Sequence, residues 1–156
     1  MKPTPEPTAV PARADIPVEL TWDLTPLYAT PAAWEADFAR LDELAAPVLA
    51  LQGKLDSVAA VAQLLAAETA LDRVLERLHT YAHLRHDEDT ANTDNQTREA
   101  RIRARYAELA AQCAWITPEL LMHPEADLRA WRDAPELKDY RRTLEKVLRN
   151  KPHVLS

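Results

Sequence analysis

This 156-residue sequence contains one cysteine, Cys113, and one glycine, Gly53. A lone thiol excludes an intrachain disulfide framework and a multi-cysteine zinc site, and it points to a reducing compartment. The cytoplasm is therefore the expected location. With Gly53 alone there is no glycine-rich phosphate loop. No run approaches the ~18 apolar residues that a membrane span takes, and Met1–Asp15 lacks the apolar core of a signal peptide. Basic charge is short as well: 19 Lys and Arg stand against 25 Asp and Glu, a net charge of −6. That is the wrong sign for affinity built on phosphate neutralisation, so neither nucleic acid nor a membrane is an expected partner.

What is present is helix-forming. Hydrophobic residues make up 47% of the chain, enough for one domain that buries a core without disulfides or metals. Of 12 prolines, seven precede Ala32, and from Pro31 onward Ala, Leu, Glu and Arg dominate. The expected fold is all-α, an antiparallel bundle of long helices over residues 18–156. Met1–Pro17 has too little apolar surface to offset the entropy of ordering and is expected to be a flexible, Pro-rich tail. Trp22 is the expected anchor of the segment that follows.

Thr30-Pro31 reads as an N-cap followed by proline at the first helical position, where the missing N–H costs nothing. The spacing predicts a helix from there to Gly53, with seam Trp34, Phe38, Leu41, Ala45 and Val48 and a kink at Pro47. A second helix, capped by Asp56 or Ser57, extends over ~33 residues with seam Leu64, Ala67, Leu71, Val74, Leu78 and Tyr81, about 50 Å if unbroken near Glu68-Thr69. The turn-forming cluster Asp89–Asp94 predicts a reversal. A third helix follows with seam Ile102, Tyr106, Leu109, Cys113 and Ile116. Thr117-Pro118-Glu119 and Ala134-Pro135-Glu136 signal two more starts, interrupted at His123-Pro124; the last helix carries Leu137, Tyr140, Leu144 and Val147.

Candidate chemistry is sparse. His79, His83 and His86 share a stripe with Asp72 and Glu76, and two histidines four residues apart can share a metal. No Glu follows His79, so the H-E-x-x-H zinc signature is absent, and a polar flank is the plainer reading. Continuing the seam puts Arg85 and Asp89 on the buried face, where charges need each other; with Tyr81 they form an expected structural pair locking the helix end. Arg98, Arg101 and Arg105 share a face, near Glu99 and Glu108. They are expected to be solvated in preference to meeting a peptide carboxylate or an acidic partner. Cys113 reads as buried and inert. No residue is assigned a catalytic, cofactor-binding or metal-ligating role.

Four ordered stretches carry a family likeness. Ile16-Pro17-Val18-Glu19-Leu20-Thr21-Trp22-Asp23-Leu24-Thr25-Pro26-Leu27-Tyr28 resembles the "TWDL…LY" opening of oligoendopeptidase F, a family of zinc metallopeptidases. Gln52-Gly53-Lys54-Leu55 resembles its "GKL" break, and Tyr81–Thr90 its "YA-x-L-R-x-D-x-D-T" helix end. Lys151-Pro152-His153-Val154-Leu155-Ser156 resembles its "KPH-x-LS". The resemblance implies an N-terminal lobe that encloses a cavity admitting short peptides, with zinc held by an H-E-x-x-H helix in a later catalytic domain. None of those zinc residues stands here, so the chain is expected to be a truncated part of a longer hydrolase, inactive alone, with the missing catalytic domain as partner. Self-association through apolar surface laid bare on Tyr140, Leu144 and Val147 is a further expectation. The alternative is a free-standing helical protein-interaction module; a weaker one is a metal-binding bundle through His79 and His83.

Overall fold

The structure is a computed structural model and describes residue 11 and residues 13–153. Most of the expected tail, residues 1–10 and 12, lies outside the described residues, as do Val154-Leu155-Ser156. Arg13–Asp15, within that tail, forms a 3₁₀ turn, and the Arg13 guanidinium donates to Glu88 Oε1 at 3.0 Å.

Among the described residues seven α-helices follow: α1 (Pro31–Ala39), α2 (Leu41–Leu49), α3 (Val58–Glu88), α4 (Thr93–Cys113), α5 (Ile116–Met122), α6 (Glu125–Asp133) and α7 (Arg141–Asn150). Among the described residues there is no β-strand, so the fold is all-α as expected. The starts expected at Thr30, at Ser57 and in the Asp89–Asp94 cluster are present, whereas Thr117 lies inside α5, which begins at Ile116 with no side-chain cap. Thr30 accepts the Ala33 amide at 3.2 Å, and Ser57 accepts that of Ala60 at 3.3 Å. Asn92 receives the amides of Asp94 and Asn95 at 3.0 and 3.1 Å.

Three local expectations are corrected. The first helix breaks at Arg40, not Pro47, because the Arg40 amide bonds back to Asp37 in a tightened last turn and its ψ opens to −1°. Pro47 stays inside α2. Ala134-Pro135-Glu136 opens a 3₁₀ segment, Pro135–Tyr140, before α7 begins. Trp22 is not the anchor of its segment and is 58% exposed. The Asp23 carboxylate takes the Thr25 amide and hydroxyl at 3.0 and 2.7 Å, turning the chain so that Leu24 and Tyr28 enter the core in its place.

The spine is α3, whose 31 residues run without interruption, and α4 returns antiparallel beside it after the short Asp89–Asn92 turn. Across one side lie α1 and α2. Trp34 is fully buried there, and its indole N–H donates to the Leu78 carbonyl at 2.9 Å, tying α1 to the middle of the spine. The second cluster is α5 to α7, with α7 packed on both α5 and α6. Leu144 and Val147 are buried and Tyr140 is partly so. That apolar stripe is therefore not laid bare as expected, because α5 and α6 cover it.

One carboxylate fastens the two clusters together and one ammonium closes the second cluster on itself. The Glu119 carboxylate on α5 reaches back to accept the amides of Gly53 and Leu55 at 2.8 and 3.1 Å. Gly53 holds φ +74°, a left-handed conformation open to glycine at no steric cost, and this aims both amides at one carboxylate. The Lys151 ammonium donates to the Leu121 and His123 carbonyls at 2.5 and 2.8 Å, satisfying the end of α5. The "GKL" and "KPH" stretches thus act as structural fasteners.

Candidate functional site

The helix end expected to hold a structural pair is bonded, with one partner changed. Arg85 Nη1 donates to Glu88 Oε2 at 2.9 Å and its guanidinium lies 5.4 Å from the Tyr81 ring centroid. The expected bond to Asp89 is not the one formed. Asp89 has left the helical conformation, with φ −153° and ψ 92°, and its carboxylate accepts the Ala91 amide at 3.1 Å. Asn95 Nδ2 donates to the Arg85 carbonyl and Gln96 Nε2 to the Thr90 carbonyl, at 2.8 and 2.7 Å, so the turn is closed by side chains of α4.

Arg101 is exposed as expected, Arg98 and Arg105 are half-buried, and all three are engaged by groups of this chain. Arg101 grips Glu35 of α1 with both terminal nitrogens, at 2.8 and 2.9 Å, and lies 4.5 Å from the Phe38 ring centroid. Arg98 is placed over Trp34, and Arg105 pairs with Asp42 of α2 and with Glu108. The acidic partner of this face is the chain's own first two helices. Beside it, the Tyr28 hydroxyl donates to Asp37 at 3.0 Å and accepts from Arg77 Nε at 3.1 Å. Burial pushes the Tyr28 phenol up to about 12, so it stays protonated.

The other side of the α3–α4 pair is open. A cleft of about 440 Å³ there is lined by Asp72, Glu76, His79, Arg103 and Tyr106. A second of about 290 Å³ adjoins it, sharing Asp72 and Tyr106 and adding Glu68, Ala110 and Cys113. Both are lined by α3 and α4 alone. Tyr106, expected in the seam, is 51% exposed because the seam of α4 leans toward α1 and α2, leaving this flank uncovered. Burial and the neighbouring Asp72 push the Glu68 carboxyl up; burial and Glu76 do the same to Asp72. Burial and both carboxylates raise the Cys113 thiol, so it is a poor nucleophile.

At the far end of this flank stands Glu99, a residue the spacing did not single out as buried. It is 7% exposed, with His83 Nδ1 at 3.2 Å, His86 Nδ1 at 3.3 Å and Arg103 Nη2 at 3.1 Å. The signal was there: Glu99 lies three residues before Ile102, and His83 and His86 point the same way from α3. His79 stacks on His83 at 5.9 Å between centroids. Among the described residues no three His, Cys, Asp or Glu side chains are grouped to hold a metal ion. The residues present therefore do not fit a zinc centre. No helix of the described residues is long and apolar enough to cross a membrane.

Comparison with known proteins gives a consistent picture. Residues 119–156 match the family model described as Oligopeptidase F. The chain is 33% identical over 146 residues to the Group B oligopeptidase PepB of Streptococcus agalactiae, covering 92% of this chain and 24% of that protein. It is 34% identical over 151 residues to the oligopeptidase PepF of Bacillus subtilis, covering 94% of this chain and 22% of that one. A crystal structure of a Chlamydophila abortus protein superposes with a TM-score of 0.82 at 32% identity, over 92% of this chain and 25% of the other. The chain thus spans about a quarter of the length of the relatives it matches.

Proposed function

We propose, from the premise that this chain matches the N-terminal region of oligoendopeptidase F proteins, that it is the helical lobe enclosing the substrate cavity of a zinc-dependent peptidase. Its substrates are short peptides, its partner the catalytic domain and its location the cytoplasm. The observation that carries the reading is coverage: similarity takes in 92% of this chain while filling a quarter of the relatives. A peptidase lobe without the metal site does no bond breaking itself. It holds peptide and limits access, and the 31-residue spine braced by α1 and α2 supplies a wall that resists bending.

The test uses the chain purified with one equivalent of zinc, dialysed, and given a quenched-fluorescent peptide. The expected result is no retained zinc and no cleavage. Cleavage is expected when the chain is mixed with Bacillus subtilis PepF lacking its matching segment, a protein inactive by itself. Cleavage by the chain alone, or failure to rescue, overturns the proposal. Zinc retained at one equivalent and lost in His79→Ala would favour a metal-binding bundle instead.

A further inference from the structure

The two ends of the spine are finished differently. Before its first turn, Glu119 of α5 is bonded to Gly53 and Leu55, the residues that lead into α3, so the stretch matched by the family model begins at this end. At its last turn the neighbour is the segment before α1. Arg13 is paired with Glu88, and Ile16, Leu20 and Trp22 surround a notch of about 220 Å³ beside Asp87 and Glu88. A helix of 31 residues is roughly 45 Å long, so the two ends are far apart. The far end is the one left apolar. Val18 and Leu20 are 82% and 74% exposed, and Trp22 joins them because the Asp23–Thr25 turn sends Leu24 and Tyr28 into the core.

We infer that Leu20 and Trp22, with Val18 of the same 3₁₀ turn as Leu20, are a latch that seats this end of the α3–α4 pair in an apolar recess on the rest of the peptidase chain. Shape separates this occupant from a peptide substrate. A bound ligand is enclosed in a concave site of roughly 300–1,000 Å³, whereas these side chains project and the notch between them is smaller. Area separates it from a second copy. The three side chains offer on the order of 400 Å², about half of the ~800 Å² a side that a free-standing interface buries. A symmetric pair would also bring the exposed Glu19 and Asp23 against their own kind, with Arg13 already committed to Glu88. A partner attached elsewhere is free of that limit, since its second contact forms within one molecule at a high effective concentration. The relatives supply such a partner, because about three quarters of each lies outside the matched stretch. Interfaces between permanently joined parts are the more apolar kind, and a projecting Trp and Leu are what one leaves on a separated half. The inference rests on the reading of the chain as the lobe of a longer peptidase.

The experiment labels the full chain with 5-fluorotryptophan and mixes it with unlabelled Bacillus subtilis PepF lacking its matching segment. The chain's four tryptophans give four fluorine signals, and Trp22→Phe identifies that of Trp22. In the free chain this signal is expected to shift between light and heavy water, as that of an exposed ring does; in the complex the shift should be lost, leaving Trp22 as unresponsive as buried Trp34. Trp22→Ser should raise the concentration of chain needed for half-maximal rescue of cleavage about thirtyfold, the loss of one aromatic anchor, and Leu20→Ser should act in the same direction. Both variants should melt as the parent does, because the two side chains stand outside the core. A solvent shift retained in a complex that cleaves peptide, or rescue unchanged by Trp22→Ser, overturns the latch and leaves the lobe standing. Absence of both complex and cleavage overturns the two together. Shelter of Trp22 on concentrating the chain alone assigns the patch to a second copy, and shelter on adding a capped octapeptide assigns it to a peptide; either result overturns the inference.

Discussion

Helix α4 carries polar residues along both of its long sides, and they meet opposite conditions. Toward α1 and α2, Arg98, Arg101 and Arg105 are stacked on aromatic rings or paired with Glu35 and Asp42. Toward solvent, Tyr106 faces Glu68, Asp72 and Glu76, unpaired among the described residues, across a cleft lined by α3 and α4. Where this chain supplies its own partner, Arg101 and Arg105 meet carboxylates carried by α1 and α2. Where it does not, like charges are left in sequence, which is the arrangement expected of a surface whose complement comes from elsewhere.

The largest break in this contrast should come from the closed side. Trp34→Ala removes a fully buried indole and its bond to Leu78, and is expected to cost about 3–5 kcal/mol, followed as loss of helical circular dichroism on heating. A smaller loss of about 2 kcal/mol is expected for Glu119→Ala, which orphans two amides at Gly53 and Leu55; its urea midpoint should fall without a change in slope. At the helix end, Arg85→Ala and Glu88→Ala should couple by up to about 1 kcal/mol in a double-mutant cycle, while Arg85→Ala and Asp89→Ala should add independently.

The open side should answer with the opposite sign. Asp72→Asn is expected to leave stability unchanged or raise it by a few tenths of a kcal/mol at pH 7, because it interrupts a like-charge row. Since the folded-state pKa of Asp72 lies above its ordinary 3.8, its contribution to stability is full below that value and is lost as pH rises through the folded pKa. Any gain in the variant should therefore vanish on acidification below about pH 3.8, read by urea titration at both pH values. A variant less stable than the parent at pH 7 would show that the row is internally compensated and not left for a partner.

Features settled within one turn of chain were legible beforehand. Thr30-Pro31, Ser57 and the Asp89–Asn92 turn act through atoms three or four residues away, and the helices start and reverse where those residues stand. Features that depend on which helix packs against which were not. Trp22 and Tyr106 satisfy an apolar spacing yet stay exposed, because a helical wheel ranks faces without saying which flank a distant helix will cover. The Arg98–Arg105 face looked solvated for the same reason: its carboxylates come from Glu35 and Asp42, more than 60 residues away. The open groove was read as a polar flank from Asp72, Glu76 and the histidines. Its other wall, Tyr106 and Arg103, required the pairing of α3 with α4.

The grip of Glu119 on Gly53, 66 positions apart in sequence, brings the departure and return of the α3–α4 excursion to a single point. Topologically the two long helices form a closed loop on a stem, pinned at its base by one carboxyl group. Extra residues spliced at its tip, between Asp89 and Asn92, would lengthen the loop while leaving the stem where it is. Cutting the pin would loosen the base of the loop alone, because Trp34, Arg101 and Arg105 still hold its two sides to α1 and α2.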